Sequence, residues 1–239
     1  MDEPWGVITQ EGDRVTLHQM QGNTLERHDF ATLDAVSAGS AIAPDRLLRL
    51  SSAAQSRAPT RIVPDGMTDV LGAVRQERPY GLLSAEVRIL IAGALAGRED
   101  WDGVFCLPGS EQTIWAHVSA REIVSFQGAA TPRLAVAFGG GNDLDSDALS
   151  DTLARPERLA VQLNSACLTG ARAAVTGHLI GAELAAMRPF WLGQQVIIIG
   201  GALPYAEALA VQGVVAEKRD QTQAWREGLA ALGRAAELA

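Results

Sequence analysis

The sequence predicts an α/β protein built as two lobes. Three observations predict it. The stretch VITQEGDRVTLHQM, residues 7–20, places two β-rich runs around a Glu11-Gly12-Asp13 turn, as a hairpin does. The run VIII at 196–199 is β-branched throughout and ends at Gly200-Gly201, the mark of a strand covered on both faces. Short strands then alternate with helical stretches to the end of the chain.

Taken in order, the hairpin leads into a helical or loop region carrying Leu33, Val36 and, later, Leu47, Leu48 and Leu50. SSAAQSRAP, 51–59, reads as loop. Arg61-Ile62-Val63 reads as a short strand stopped by Pro64-Asp65-Gly66. Residues 82–97, LLSAEVRILIAGALAG, suit a mostly buried helix ending at Gly97. Strands are expected at 104–107, 113–118 and 122–126, with a Pro108-Gly109 turn after the first and Ser119-Ala120-Arg121 between the last two. GGGNDLDSD, 139–147, reads as a hinge or surface loop, with a phosphate cradle as the other reading. An Ala-rich helix at 169–187 stops before Pro189, and Gly177 and Gly181 on it permit close approach by a helix or a ligand. Strand 195–199, helix 204–212, strand 214–217 and a helix from 222 complete the chain. This order is similar to the ribonuclease-H-like unit of the actin–hexokinase superfamily, in which the turn between the first two strands holds phosphates. The expected lobes are 1–100, a truncated amino-terminal one, and 101–239, a ribonuclease-H-like one with an adenosine motif.

The chain has 239 residues, 47% of them hydrophobic and 20% charged, enough for a sizeable core. Its net charge of -8, from 20 basic and 28 acidic residues, argues against nucleic-acid binding, and Lys218 is the only lysine. The start MDEPWGVITQ has no basic region before an apolar run, and no stretch is apolar enough to span a bilayer. A cytoplasmic protein is therefore expected, with Cys106 and Cys167 as buried reduced thiols. No two of His18, His28, His117 and His178 share metal-ligand spacing; His178 suits either packing or ligand contact. Trp101, Trp115, Trp191 and Trp225 read as core or interface.

Two local patterns could carry chemistry. CLPGSEQTIW, 106–115, places Pro108, Gly109 and Ser110 where backbone N–H groups and a hydroxyl meet an anion; a plain hairpin has the same look. IIIGGALPYAEAL, 197–209, is a buried strand opening through paired glycines into a helix, where α/β proteins bind ligands. Close strand–helix packing also requires small residues there. Ligand and packing roles stay open.

LTGARAAVTGHLIGAELAAMRPFWLGQQVIIIGGALPYAEAL, 168–209, resembles the carboxyl-terminal signature of the 2-keto-3-deoxygalactonate kinase family. Leu179-Ile180-Gly181-Ala182-Glu183 and Arg188 match its helix; Gly200, Leu203, Tyr205, Ala208 and Leu209 match its adenosine motif. Asp220, Ala224, Gly228 and Leu229 match its close, and VFCLPGSEQTIW resembles its strand and PGTHSKW turn. The resemblance implies an ATP- and Mg2+-dependent sugar-acid kinase. Pro108, Gly109, Ser110 and Thr131 would hold phosphates, and Gly200, Gly201, Leu203 and Tyr205 the nucleotide.

Departures gather at the phosphate end. The family's DWGTTN would precede the first hairpin, where this chain has only Asp2-Glu3-Pro4-Trp5-Gly6 and no strand. In the PGTHSKW turn, histidine becomes Glu111 and lysine becomes Thr113. Of the family's MTGE only Thr131 survives, and Gly81 to Val87 has lost an aspartate, the arginine and one glutamate of DVMRGEE. Arg133 or Arg88 offers replacement charge, with a surface salt bridge as the other reading. Glu86 and Asp69 are candidate bases by position alone. Phosphoryl transfer needs cations against the phosphates and a base for the hydroxyl. The expectation is thus a divergent relative that binds nucleotide or sugar acid with weak or absent phosphotransfer, or an inactive regulatory or scaffold protein. The partners expected are small molecules, with a homodimer allowed and neither nucleic acid nor membrane.

Overall fold

The computed structural model describes residues 3–67, 69–98 and 100–239, so Asp2 of the sequence reading lies outside the described residues. The chain forms two compact units. Unit 1 runs to Trp101 and takes in Ala120–Ile123 and Gln221–Ala239; unit 2 is Asp102–Ser119 and Val124–Asp220. The lobe expected over 101–239 thus gives up 120–123 and the last helix.

Unit 1 contains β1 (Trp5–Glu11), β2 (Arg14–Gln21), β3 (Thr24–Phe30), α1 (Leu33–Gly39), β4 (Leu47–Arg57), β5 (Thr60–Arg61), β6 (Val70–Glu77), β7 (Tyr80–Leu83) and α2 (Ala85–Ala94). Its sheet has the order β3-β2-β1-β4-β6-β7. β1 pairs antiparallel with β2 and parallel with β4, which pairs parallel with β6. The hairpin at 7–20 therefore needs no strand before it: its first arm is itself the central strand. That corrects the reading of a missing first strand. The turn between β1 and β2 is Glu11-Gly12-Asp13. SSAAQSRAP is also not loop. It continues β4, with register shifts against β6 between Ser51, Ala54 and Ser56. Its small polar residues hide the strand because the neighbouring backbones, not the side chains, hold it.

Ser84 caps α2 by accepting from the Val87 N–H. Beneath α2 lie Trp5, Val7, Leu48 and Leu71, all at most 2% exposed. Arg88 on α2 is 1% exposed, and its guanidinium donates to the carbonyls of Ile62 at 2.8 Å, Gly72 at 2.6 Å and Arg61 at 3.0 Å. It is neither a replacement phosphate ligand nor a surface ion pair. Burial brings its pKa down to about 10.

Unit 2 contains β8 (Gly103–Pro108), β9 (Thr113–Ser119), β10 (Glu122–Ala129), α3 (Thr131–Phe138), α4 (Ser146–Ala154), α5 (Leu159–Leu168), α6 (Arg172–Ala186), α7 (Arg188–Trp191), β11 (Val196–Ile199), α8 (Tyr205–Val211) and β12 (Glu217–Arg219). The chain closes with α9 (Gln221–Ala235), which belongs to unit 1. In unit 2 the sheet runs β12-β11-β8-β9-β10, with β11 parallel to both its neighbours. All six residues of β8 and all four of β11 are buried, as a sheet covered on both faces requires. Gly177 and Gly181 serve helix packing: a Cβ on either would lie 2.4 Å from a carbonyl at or beside α4, that of Asp145 or Leu149. β12 starts at Glu217 rather than 214. Cys106 is buried as expected; Cys167 is exposed at the end of α5, a correction that follows from its place on that helix's outer face.

Candidate functional site

The site of unit 2 grows from three joints: the β8–β9 turn, the start of α3 and the β11–α8 junction. Under them lies a polar knot. The Glu183 carboxylate on α6, 5% exposed, accepts from the Trp115 indole N–H at 2.6 Å and the Tyr205 hydroxyl at 2.8 Å. The Thr131 side chain also bonds to it. Tyr205 in turn shares a 2.6 Å bond with Thr113, which is wholly buried. Burial pushes the Glu183 carboxyl up, and the bonds from Thr131, Trp115 and Tyr205 pull it partly back. Burial and then the Glu183 charge raise both the Cys106 thiol and the Tyr205 phenol well above their usual values. One acid thus ties four strands and helices together.

Above the knot sits a cavity of about 210 Å³. Pro108, Gly109 and Ser110 form one wall, Pro132 and Val136 of α3 a second, and Gly140–Asn142 with Ala202 and Leu203 the rest. Its surface is mainly apolar side chain and glycine backbone. The Gly201 backbone has φ 84°, and a Cβ there would lie 2.5 Å from the Pro108 Cβ. Gly201 therefore presses the β11–α8 junction onto the β8–β9 turn.

The sequence-derived residues divide accordingly. Pro108, Gly109, Ser110 and Leu203 line one cavity. Thr131 and Tyr205 do not: both are buried and committed to Glu183, so their expected phosphate and nucleotide contacts are corrected to support roles. Gly200, at φ 72°, shapes the junction rather than the wall. Pro108 has no N–H, and the Gly109 N–H donates to the Gln112 carbonyl at 2.9 Å, which leaves Ser110 alone to offer an anion its backbone and hydroxyl. Glu111 follows and pairs with exposed Arg133 at 3.8 Å. Glu86 lies in the first turn of α2, in unit 1, half-buried. His178 bonds Thr152 at 2.7 Å and is a packing residue.

Two parts of the site escaped the sequence reading. Glu183 stood in the motif without a role, although an acid in LIGAELAA is a signal for a buried partner. Gly140 and Gly141 lie on the cavity wall, where the reading preferred a plain loop; the loop's bare backbone was the available clue.

Residues 137–232 match the family model of 2-keto-3-deoxy-galactonokinase. That match covers 96 of the 239 residues, all in the carboxyl-terminal part of the chain. Among solved structures, a candidate 2-dehydro-3-deoxygalactonokinase from Sinorhizobium meliloti is 20% identical, with 97% of this chain and 98% of that one aligned at a TM-score of 0.77. The activator of 2-hydroxyisocaproyl-CoA dehydratase from Clostridium difficile aligns over 99% and 96% at 10% identity and a TM-score of 0.47. A ROK hexokinase from Thermus thermophilus aligns over 95% and 98% at 14% identity and 0.42. Among curated proteins nothing matches. The fold is thus shared with the Sinorhizobium meliloti protein, an α/β fold of two units. The family match begins at residue 137, beyond both the β8–β9 turn and Thr131. Among the described residues no three His, Cys, Asp or Glu side chains gather to hold a metal, and no helix is long and apolar enough to cross a membrane.

Proposed function

We propose that the protein is a nucleotide-binding member of this kinase group whose phosphotransfer is weak or lost. The observation that carries this reading is the cavity where the β8–β9 turn, α3, the glycine loop and the β11–α8 junction converge. Its apolar walls and bare glycine backbone suit a flat base. The family's ATP and Mg2+ are its natural ligands, and the magnesium would have to come in with the phosphates.

The triphosphate end fits less well. In unit 2 the turn between β8 and β9, on the cavity wall through Ser110, carries Glu111. A single unit-charge repulsion at 4 Å is worth about 1 kcal/mol in water and about 4 kcal/mol at an effective permittivity of 20. Thr113, at the place of the family's lysine, is buried against Tyr205 and brings no charge. Lost electrostatic stabilisers cost roughly 10²–10³ in rate each.

The test is calorimetric titration with ATP–magnesium, beside a coupled assay with candidate sugar acids. Gly141→Val is the site variant, since Gly141 lines the cavity and the nearest atoms around a Cβ there lie 3.9 Å away, at Arg172, so a valine adds bulk at the wall without a Cβ clash. Expected are heat with the parent protein, at least tenfold weaker binding in the variant with an unchanged melting temperature, and no product. Turnover at ordinary kinase rates would overturn the loss of transfer. Equal binding by the variant would overturn the site. Gly201→Val is unsuited to this purpose, because it would unseat Pro108 and distort the turn as a whole.

A further inference from the structure

Unit 1 carries a cavity of about 310 Å³ on the α1 face of its sheet. We propose that this cavity binds a short aliphatic carboxylate, its charged end on Arg49 and its body against β1, β6 and α1. The site lies wholly within unit 1 and does not depend on the nucleotide reading of unit 2.

Strand register builds the wall. Ile8 of β1 pairs with Arg49 of β4, and Arg49 pairs with Val70 of β6. Both pairings are parallel, so the three side chains stand in one row on one face of the sheet. Two residues further along, Gln10 and Ser51 stand on that same face. The alternate residues Val7, Leu48 and Leu71 point the other way, into the core beneath α2. A parallel sheet is ordinarily apolar and covered on both faces. Here α1 has only seven residues and covers the β1 side, where Ile8 packs with Val36 and Ile42. At β4 the same face holds the cavity, with Arg49 exposed on it.

The polar groups define one end of the ligand. Arg49 is the one charged side chain on the wall; Asp34 and Asp69, sequence neighbours of wall residues, are not part of it. Among the described residues the Arg49 guanidinium has no hydrogen-bond or ion-pair partner, while its backbone N–H donates to the Asp69 carbonyl at 2.8 Å. A guanidinium fork fits the two oxygens of a carboxylate. The Ser51 hydroxyl oxygen accepts from the Ala53 N–H at 3.2 Å, which leaves its own proton to donate. Gln10 gives one amide N–H to the Gly12 carbonyl at 3.2 Å and keeps the other.

The rest of the wall defines the body. Ile8, Val70 and Leu33, the last 38% exposed, offer hydrocarbon. An alkyl chain gains by covering such a surface, whereas a sugar's hydroxyls would lose water there without finding partners. The class is therefore an aliphatic monocarboxylate rather than a polyhydroxylated acid.

Hexanoate is the probe, followed by calorimetry and melting temperature with sodium chloride holding ionic strength constant. Saturable binding in the millimolar range or tighter is expected. Arg49→Gln should weaken it at least fivefold and melt with the parent, since that guanidinium has no described partner to lose. Leu33→Asp should weaken it at least as much: an acid suits the first turn of α1, yet sets a like charge on the wall. Acetate has the charge without the body, hexan-1-ol the body without the charge, and gluconate the charge on a polyol. Each should bind at least fivefold more weakly than hexanoate. No saturation by hexanoate, unchanged affinity in either variant, or equal binding by any of the three controls would overturn the proposal.

Discussion

Glu183 is the residue on which unit 2 turns. Replacing it with alanine strands the donors of Trp115, Tyr205 and Thr131 in the interior. Unpaired buried donors cost about 1–3 kcal/mol each, not additively, so Glu183→Ala should lose about 3–5 kcal/mol in chemical denaturation. A loss below about 1 kcal/mol would show that water replaces the carboxylate. In unit 1, half-buried His18 lies against Trp225 and bonds Thr9, with Arg27 and Asp29 nearby. Burial first, then Arg27, lowers its pKa to about 4, against a small opposing effect of Asp29. The unfolded chain therefore binds this proton first, and stability contributed by neutral His18 is lost as pH falls from 6.5 towards 4. After discounting for its exposure, about 1–2 kcal/mol is at stake. His18→Gln should flatten that part of the pH–stability curve. Neither role was legible from residue type: a glutamate in a helix and a histidine in a strand look alike whether solvated or enclosed.

At the scale of elements, strands and helices with strong patterns read true. The first hairpin, α2, β8 to β11 and the last helix all lie where periodicity and Pro-Gly punctuation put them, within a few residues. The failures share one cause. SSAAQSRAP lacks bulky residues and yet its residues 51–57 form the far end of β4, because the neighbouring β6 supplies their hydrogen-bonding frame. The seam between α2 and α9 joins two helices far apart in the chain. Its physical basis is a pair of glycines: a Cβ on Gly93 would lie 1.8 Å from the Ala224 carbonyl, and one on Gly228 2.0 Å from that of Ile89. Both obstacles are backbone, so the helices must part. Gly228→Ala should lower stability by about 1–3 kcal/mol, read by thermal melting. If α9 docks as described, the same substitution should leave nucleotide heat in unit 2 within twofold. An unchanged melt would contradict the seam.

For the whole molecule, the fold was readable because the carboxyl-terminal motif is a packing motif. Glu183, Gly181, Gly201 and Tyr205 hold the unit together through close backbone approaches and a buried hydrogen bond. The phosphate turns were legible as altered, but their consequence was not. Only the structure places Thr113 in the interior and the Gly109 N–H on Gln112. Together with Glu111, these features of unit 2 would give the phosphates of the proposed nucleotide little to gain. The most direct test compares the dissociation constants of adenosine and of ATP–magnesium by calorimetry under one buffer. Adenosine should bind as tightly as ATP, within about threefold, or more tightly. Preference for ATP by tenfold or more, about 1.4 kcal/mol, would mean that the protein still grips the phosphates, and would contradict the account.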